Sequence, residues 1–338
     1  MLTRRQFGLA AALQELRRPN VLFILCDQWR RQTDLIAPNL DRLKAEGVEF
    51  TRAYVANPVS APSRAALQTG RYPHSISMPS NGKQLPLEYP CLADAFVAAA
   101  YKTGYIGKWH LDGAEAPGYT PPGPRRRGYQ YWAAMNHGHS YFDFVYFLDD
   151  PRPIKLSGYE PDHQTGLALD FIDRNQSSPF LLFLSFGPPH GPNRLPERHA
   201  KTYNPETIQL RGNVPGAFEA DARKSLAAYY GLCSSIDDNI GRLLKALDDR
   251  KLADNTIIVF TGDHGDMLRS HGLEGNEVWY EESSGVPMLM RWPGQLAAGT
   301  KQDWLFNNID VAPTLRGLCG LPPIDGAYGD CLLYTSPS

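Results

Sequence analysis

Three uninterrupted apolar runs, each followed within four residues by polar side chains, constrain the fold of this 338-residue chain most strongly. The runs and the polar residues behind them are 20–26 with Asp27, 180–186 with His190, and 256–261 with Asp263 and His264. Continuous apolar strands are typical of parallel sheets that are buried on both faces. Helical patterns lie between the runs, so the sequence predicts an α/β fold with helices on both faces of the sheet.

The remaining elements are predicted from periodicity and from Pro and Gly signals at their ends. Helices are expected at 37–47, 63–68, 91–100, 164–174 and 223–247, and further strands at 48–54 and 286–292. Residues 113–160 are rich in Gly, Pro, Arg and aromatics, which predicts substrate-facing loops. The three polar motifs would then meet at the carboxyl ends of the strands, where sheets of this kind bind ligands.

Composition excludes several classes of function. A hydrophobic fraction of 42% is enough for a substantial core, and a net charge of -2 gives no electrostatic basis for binding nucleic acid or anionic membranes. Five scattered cysteines without a Cys-x-x-Cys pair argue against a disulfide scaffold and against a structural zinc site. No apolar run is long enough to span a membrane.

Both termini have unusual sequences. Residues 1–18 begin with Met-Leu-Thr-Arg-Arg and resemble a shortened twin-arginine export signal, which predicts a periplasmic or secreted protein; a plain basic N-terminus is the alternative. Residues 331–338 fit no periodicity around them and are expected to be a non-native tail. One catalytic domain is expected over residues 19–330, with its C-terminal subdomain incomplete or missing.

The segment from Ser60 to Arg64 places a hydroxyl four residues before an arginine, with Pro62 between them. A helix that begins just after Pro62 would bring Arg64 back toward Ser60 and direct its first N–H groups to the same point. That arrangement is an anion site with a nucleophile in it. The alternative, equally favoured by this segment alone, is an ordinary helix cap made by Ser60 or Ser63.

Asp27, Asp263 and His264 are the metal candidates. Carboxylates at adjacent strand ends can converge on a hard divalent cation, which prefers oxygen ligands. A single Asp after a buried strand is more often a cap or turn residue. Two such residues, with His264 behind the second, favour a metal site.

Together these motifs resemble the type I sulfatases of the alkaline phosphatase superfamily, whose signature is Cys/Ser-x-Pro-x-Arg. The segments that carry the resemblance, in the family's order, are 18–28, 38–47, 60–64, 107–110, 188–190, 261–265, 280–283, 286–287 and 291–294. The resemblance implies an alkaline-phosphatase-like, mainly parallel sheet and hydrolysis of an organic sulfate monoester. It covers most of residues 19–325 and identifies the chain as a serine-type bacterial member, truncated at its C-terminus.

The resemblance also implies a role for each matching residue. Ser60 would be oxidised to formylglycine, with Arg64 supporting it, and would bind Ca²⁺ (or Mg²⁺ or Mn²⁺) together with Asp27, Asp263 and His264. Lys108 would neutralise the sulfate oxygens, His110 would contact the aldehyde hydrate, and His190 would protonate the leaving alcohol. Serine at this position implies a radical-type maturating enzyme as a partner and a sulfated small molecule or glycan as the substrate.

Three departures from the family's pattern are expected to matter. The family often has two adjacent carboxylates after the first strand, and Cys26 occupies the first of these positions, so the metal site would have one protein oxygen fewer. The segment between residues 28 and 38 is shorter than usual. Asn276 stands where the family usually has a second lysine, which would remove a charge from substrate binding; Arg269 or Arg291 could compensate.

Two other functions remain open on the sequence. Residues 28–30 after Asp27 also resemble phosphonate monoester hydrolases, so a phosphodiesterase or phosphonate hydrolase is one alternative; an inactive glycan-binding relative or fragment is the other. Nine aromatic and basic residues between 119 and 146 are expected either to recognise a sulfated sugar or to pack against one another. They are Tyr119, Arg125, Arg126, Arg127, Tyr129, Trp132, His137, His139 and Tyr141.

Overall fold

An eight-stranded sheet lies at the centre of the protein, in a computed structural model that describes residues 18–31 and 34–332. The strands are β1 (Asn20–Asp27), β2 (Val48–Tyr54), β3 (Lys102–Lys108), β4 (Tyr131–Met135), β5 (Asp143–Tyr146), β6 (Ile154–Ser157), β7 (Phe180–Pro189), β8 (Thr256–Gly262), β9 (Met288–Arg291) and β10 (Thr300–Asn307). The order across the sheet is β10-β2-β9-β8-β1-β7-β3-β4. Strand β9 runs antiparallel to β2 and β8, whereas the other pairs described in this sheet are parallel.

Helices cover both faces of this sheet, as the sequence predicts. They are α1 (Pro38–Glu46), α2 (Ser60–Thr69), α3 (Leu92–Ala98), α4 (Glu160–Arg174), α5 (Glu219–Asp249), α6 (Glu281–Ser284) and α7 (Val311–Leu318). Helix α1 has proline at its first position, which suits the fixed φ of that residue. Helix α5 is the longest described helix, and its apolar side chains recur at helical spacing and pack against the sheet and α1.

Successive residues of β1 belong to different cores, because side chains alternate across a strand. Val21, Phe23 and Leu25 lie in the core beneath α2, α3 and α7. Leu22 and Ile24 lie in the core beneath α1, α4 and α5. Complete burial of each such side chain contributes roughly 1.5–3 kcal/mol, so an apolar run with no alternation is required at the centre of the sheet.

The expectation that residues 113–160 are loops is wrong in part. Strand β4 extends the main sheet beside β3, and β5 and β6 pair as a separate antiparallel hairpin. Of the nine aromatic and basic residues, Arg126, Arg127, Tyr129, Trp132 and Tyr141 are buried. These five pack within the protein, so the self-packing alternative holds for them.

The helix that follows Asn57 begins earlier than the sequence predicts. It starts at Ser60, and Val59 is its N-cap residue with extended backbone and no side-chain capping bond. Pro62 is tolerated because it falls in the first turn, where an N–H would have no intrahelical partner. Neither Ser60 nor Ser63 caps this helix, so the capping alternative is wrong.

The segment 1–17, which carries the twin-arginine pattern, and residues 333–338 lie outside the described residues. Within the part of the chain that is described, no helix combines the length and the hydropathy needed to cross a membrane.

Candidate active site

Five neighbouring parallel strands, in the order β8-β1-β7-β3-β4, place polar residues at one edge of the sheet. The residues at or just beyond their carboxyl ends are Asp263 and His264 on β8, Asp27 on β1, His190 on β7, Lys108 and His110 on β3, and His137 and His139 on β4. Parallel strands all end at the same edge, so residues distant in sequence meet there. The candidate residues predicted at strand ends are therefore brought together.

Helix α2 adds Ser60 to this edge. The Ser60 hydroxyl oxygen lies 2.9 Å from Nε2 of His264 and 3.5 Å from Oδ1 of Asp27. The residue is buried, and its hydroxyl is free of any capping role. Since Ser60 begins a ten-residue helix, the positive end of the helix dipole lies at the same point. The arrangement favours binding and reaction of an anion at Ser60.

Asp27, Asp263 and His264 form a buried group with the spacing of a metal site. Their ligand atoms lie within 4.8 Å of one another. Nε2 of His264 is 3.6 Å from Oδ1 of Asp27 and 3.7 Å from Oδ1 of Asp263. The side-chain oxygen Oε1 of Gln28 is also buried there without a hydrogen-bond partner among the described residues, while the Gln28 N–H donates to Asp263. Two buried carboxylates with a spare amide oxygen fit a hard divalent cation.

Cys26 takes no part in this group. It is fully buried in the core beneath α1, α4 and α5, together with Leu22 and Ile24. Burial raises the pKa of the Cys26 thiol well above its usual range, so the sulfur stays protonated. One protein oxygen fewer at the metal site stays a prediction.

The side chains of Arg64 and Lys108 balance the charges of the Asp263 and Asp27 carboxylates. Arg64 donates from Nε to Oδ2 of Asp263 at 2.9 Å, and its other bonds go to the Lys108 carbonyl at 2.7 Å and the Ser185 hydroxyl at 2.8 Å. Lys108 Nζ lies 2.5 Å from Oδ2 of Asp27. Burial alone would raise the pKa of Asp27, but the Lys108 ammonium holds it well below its usual range. The metal-free group is therefore close to neutral, and a bound divalent cation would make it attractive to an anionic ester.

His139 belongs to this centre, although the sequence associated it only with sugar recognition. Its Nε2 lies 3.1 Å from Lys108 Nζ and 3.2 Å from Oδ2 of Asp27. Its ring stacks on His190, with the centroids 3.7 Å apart and the planes 2° from parallel. Burial lowers the pKa of His139 to about 4, so the imidazole is neutral near pH 7. The missed signal was the His-Gly-His segment directly after β4, a strand that the sequence did not predict.

His110 lies two residues beyond Lys108, the last residue of β3. Its Nε2 is 2.8 Å from Oε1 of Glu115, and its Nδ1 is buried without a hydrogen-bond partner among the described residues. Burial, with Lys108 and Arg64 nearby, lowers the pKa of His110 far below its usual range. A neutral His110 that donates from Nε2 to Glu115 keeps a lone pair on Nδ1, which can accept a hydrogen bond.

A groove of about 310 Å³ leads away from the centre along Gln28, His190, Asn193, Arg269 and Asn276. Most of its lining residues have polar side chains, which suits a hydroxyl-rich ligand. The His190 N–H donates to the Asp27 carbonyl at 3.1 Å, so the His190 backbone is held beside the carboxylates. His190 thus lies between the centre and the groove.

Asn276 helps to position the segment that leads to Ser60. Its side-chain amide donates to the Pro58 carbonyl at 2.8 Å. Of the two arginines expected to compensate for the missing lysine, Arg269 lines the groove, although it pairs with Glu274 at 2.6 Å. Arg291 pairs with Glu46 at 2.6 Å, away from this groove, so the prediction that it compensates is wrong.

The mainly parallel sheet and the residues gathered at its edge define the alkaline-phosphatase-like class of fold. A family model described as Sulfatase matches residues 19–321. The chain belongs to the sulfatase family, as the motifs indicate.

Individual relatives agree with that assignment. The ulvan-active sulfatase of Formosa agariphila is 37% identical over 332 residues, which cover 94% of this chain and 65% of that protein. The N-acetylglucosamine-6-O-sulfatase of Bacteroides thetaiotaomicron is 25% identical over 396 residues, covering 91% of this chain and 69% of the relative. The crystal structure of yidJ from Bacteroides fragilis has a TM-score of 0.87 at 29% identity and covers 95% of this chain and 79% of its own.

Proposed function

We propose that this protein hydrolyses the sulfate monoester of a carbohydrate at Ser60. The observation that carries the proposal is the convergence of the Ser60 hydroxyl with His264 at 2.9 Å and Asp27 at 3.5 Å, beside Lys108. A nucleophile, anionic metal ligands and a cation for the sulfate oxygens are then within one buried centre. The chain spans 65% of the length of the ulvan-active sulfatase.

Asp27, Asp263, His264 and the oxygen at position 60 would hold the metal, with Ca²⁺ favoured and Mg²⁺ or Mn²⁺ as alternatives. Three oxygen donors and one imidazole suit a hard cation. When bound, the ion supplies positive charge that stabilises the charge developing on the oxygens of the ester.

Ser60 would be the precursor of formylglycine, whose hydrate supplies the attacking hydroxyl. Serine rather than cysteine at this position favours a radical-type maturating enzyme as the partner. Arg64 would have a structural role whether or not Ser60 is modified. Its bonds to Asp263 and to the Lys108 carbonyl hold the end of β3 beside α2.

The chain's own side chains would bind the sulfate and move the protons. Lys108 and His139 would donate to the sulfate oxygens once Asp27 is engaged by the cation. His190, at the entrance of the groove, would donate a proton to the leaving alcohol. His110 would contact the aldehyde hydrate by accepting a hydrogen bond on Nδ1, since its Nε2–H is directed to Glu115.

A carbohydrate substrate is supported by the polar groove and by the relatives. The ulvan-active sulfatase and the N-acetylglucosamine-6-O-sulfatase are named for carbohydrates, and a neighbour at 27% identity and a TM-score of 0.79 was crystallised with k-i-k-neocarrahexaose. A polymeric substrate implies a periplasmic or secreted enzyme, in line with the predicted export signal. One relative of Caenorhabditis elegans is named as extracellular.

The test is turnover of 4-nitrophenyl sulfate by the full chain made in a host with the radical-type maturating enzyme. Turnover should require the divalent metal and be lost with EDTA. It should be absent in Ser60→Ala and unchanged in Ser80→Ala, an exposed serine on the loop after α2. A 4-nitrophenyl phosphonate ester should be a poorer substrate by kcat/KM.

Each contrary outcome identifies another function. A higher kcat/KM for the phosphonate ester would favour the phosphonate hydrolase alternative. Binding of a sulfated oligosaccharide without turnover, in protein whose Ser60 is modified, would favour the glycan-binding alternative. Turnover retained in Ser60→Ala would refute the proposed nucleophile.

A further inference from the structure

A second group of metal-ligating side chains lies beside the catalytic centre and shares no residue with Asp27, Asp263 and His264. It consists of His110 after β3, His137 after β4, and Glu115 on the loop between these strands. One ligand atom of each residue lies within 4.8 Å of those of the other two. The rings of the two histidines are 4.5 Å apart at 45°.

The spacing fits a small tetrahedral ion. Nε2 of His110 is 2.8 Å from Oε1 of Glu115, and Nε2 of His137 is 3.6 Å from Oε2 of the same residue. Zinc bonds of about 2.0–2.1 Å place tetrahedral ligands roughly 3.3 Å apart, between these two separations. Only small side-chain rotations are needed for the three groups to reach one ion.

The ligand types distinguish this group from the first. Two imidazoles and one carboxylate select zinc and similar transition metals, whereas a set rich in carboxylates selects calcium. Burial lowers the pKa of His137, so its lone pair is available near pH 7. Glu115 is fixed by the Gly82 N–H at 2.7 Å and remains 43% exposed, which leaves the group open to solvent.

The geometry points to a Zn²⁺ site formed by His110, Glu115 and His137 that inhibits the enzyme by altering His110. Without the ion, the Nε2–H group of His110 donates to Glu115, and Nδ1 of His110 carries the lone pair. When Zn²⁺ binds the Nε2 lone pair, the single ring proton moves from Nε2 to Nδ1, with no net loss from the ring. Nδ1 can then no longer accept a hydrogen bond. The inhibition rests on the proposed function, whereas the binding does not.

Binding is measured on the full chain saturated with Ca²⁺, by titration with ZnCl₂ and, separately, with CoCl₂, whose visible absorption reports the ligand geometry. We expect one tight Zn²⁺ per chain beyond the Ca²⁺. Glu115→Gln and His137→Ala should each weaken Zn²⁺ binding by more than about tenfold, because the loss of a residue that only orients a metal ligand already costs about that much affinity. His74→Ala, an exposed histidine, is the control and should leave affinity unchanged.

Inhibition is measured in parallel with 4-nitrophenyl sulfate. Turnover should fall over the same range of Zn²⁺ concentration in which binding is measured. In His137→Ala, higher Zn²⁺ concentrations should be needed for the same inhibition. Absence of a Zn²⁺ signal at Ca²⁺ saturation would overturn the proposal. So would equal affinity in wild type, Glu115→Gln and His137→Ala, which would assign the ion to the Asp27 group. Both results are readable even if 4-nitrophenyl sulfate is not turned over.

Discussion

Replacing Arg64 with methionine tests whether the paired charges beneath Ser60 stabilise the fold. Arg64 is 2% exposed, and it binds Asp263, the Lys108 carbonyl and the Ser185 hydroxyl at 2.7–2.9 Å. Arg64→Met keeps an unbranched apolar stem but leaves Asp263 buried without its cation. Removal of one partner of a buried ion pair costs about 3–5 kcal/mol.

That cost converts to a fall of roughly 6–10 °C in the thermal midpoint, at about 2 °C per kcal/mol for a chain of this size. Ca²⁺ should recover part of the loss, because a cation near Asp263 replaces the missing charge; at about 100 times its Kd, a ligand adds about 2.7 kcal/mol. The assay is differential scanning calorimetry with EDTA and with CaCl₂.

The matched control is Arg152→Met. Arg152 pairs with Asp150 through two bonds of 2.8 and 2.9 Å, but both side chains are exposed. The thermal midpoint of Arg152→Met should equal that of the wild type, because solvent screens an exposed ion pair. A midpoint for Arg64→Met within about 1 °C of the wild type would refute the claim that the buried charges stabilise the fold.

Three further predictions concern single side chains. Asn276→Lys should raise kcat/KM for 4-nitrophenyl sulfate about tenfold by adding a cation to the groove, within the range of one charge-stabilising donor; no increase would mean that the charge is not limiting. His139→Ala should lower kcat/KM about 100-fold in the same assay if His139 donates to the sulfate, and wild-type turnover would contradict that role. Glu160→Gln should become more stable relative to wild type as the pH rises from 5 to 8. Burial raises the pKa of Glu160 to about 8, above the value in the unfolded chain, so wild type loses stability as the pH rises through this window. Calorimetry at pH 5 and pH 8 measures the stability difference between Glu160→Gln and the wild type. A difference that does not change with pH would contradict the prediction.

Much of the sheet could be predicted because its central strands are apolar throughout. The run 256–261 became β8 (Thr256–Gly262), and the run 20–26 became β1 (Asn20–Asp27). Strand β4 (Tyr131–Met135) was missed because Gly, Pro and Arg cluster before it and Gly138 follows it, and these residues favour loops. Its apolar side chains are buried only because β3 lies beside it, which is a tertiary effect.

The candidate site was predictable where a residue follows a strand end and harder to predict where contacts cross between loops. Asp27, Asp263 and His264 were found from their positions behind apolar runs. The stacking of His139 on His190 depends on the order of β4, β3 and β7 in the sheet, which local sequence does not specify. The bond from Asn276 to the Pro58 carbonyl is likewise a contact between segments distant in sequence.

The most direct test of the central claim is the mass of the peptide that contains Ser60, from protein made with and without the radical-type maturating enzyme. The account predicts a peptide two hydrogens lighter than the serine form only with the enzyme, and sulfate-ester turnover in proportion to the converted fraction. Full turnover by protein whose Ser60 is unmodified, or conversion that leaves turnover at zero, would contradict it.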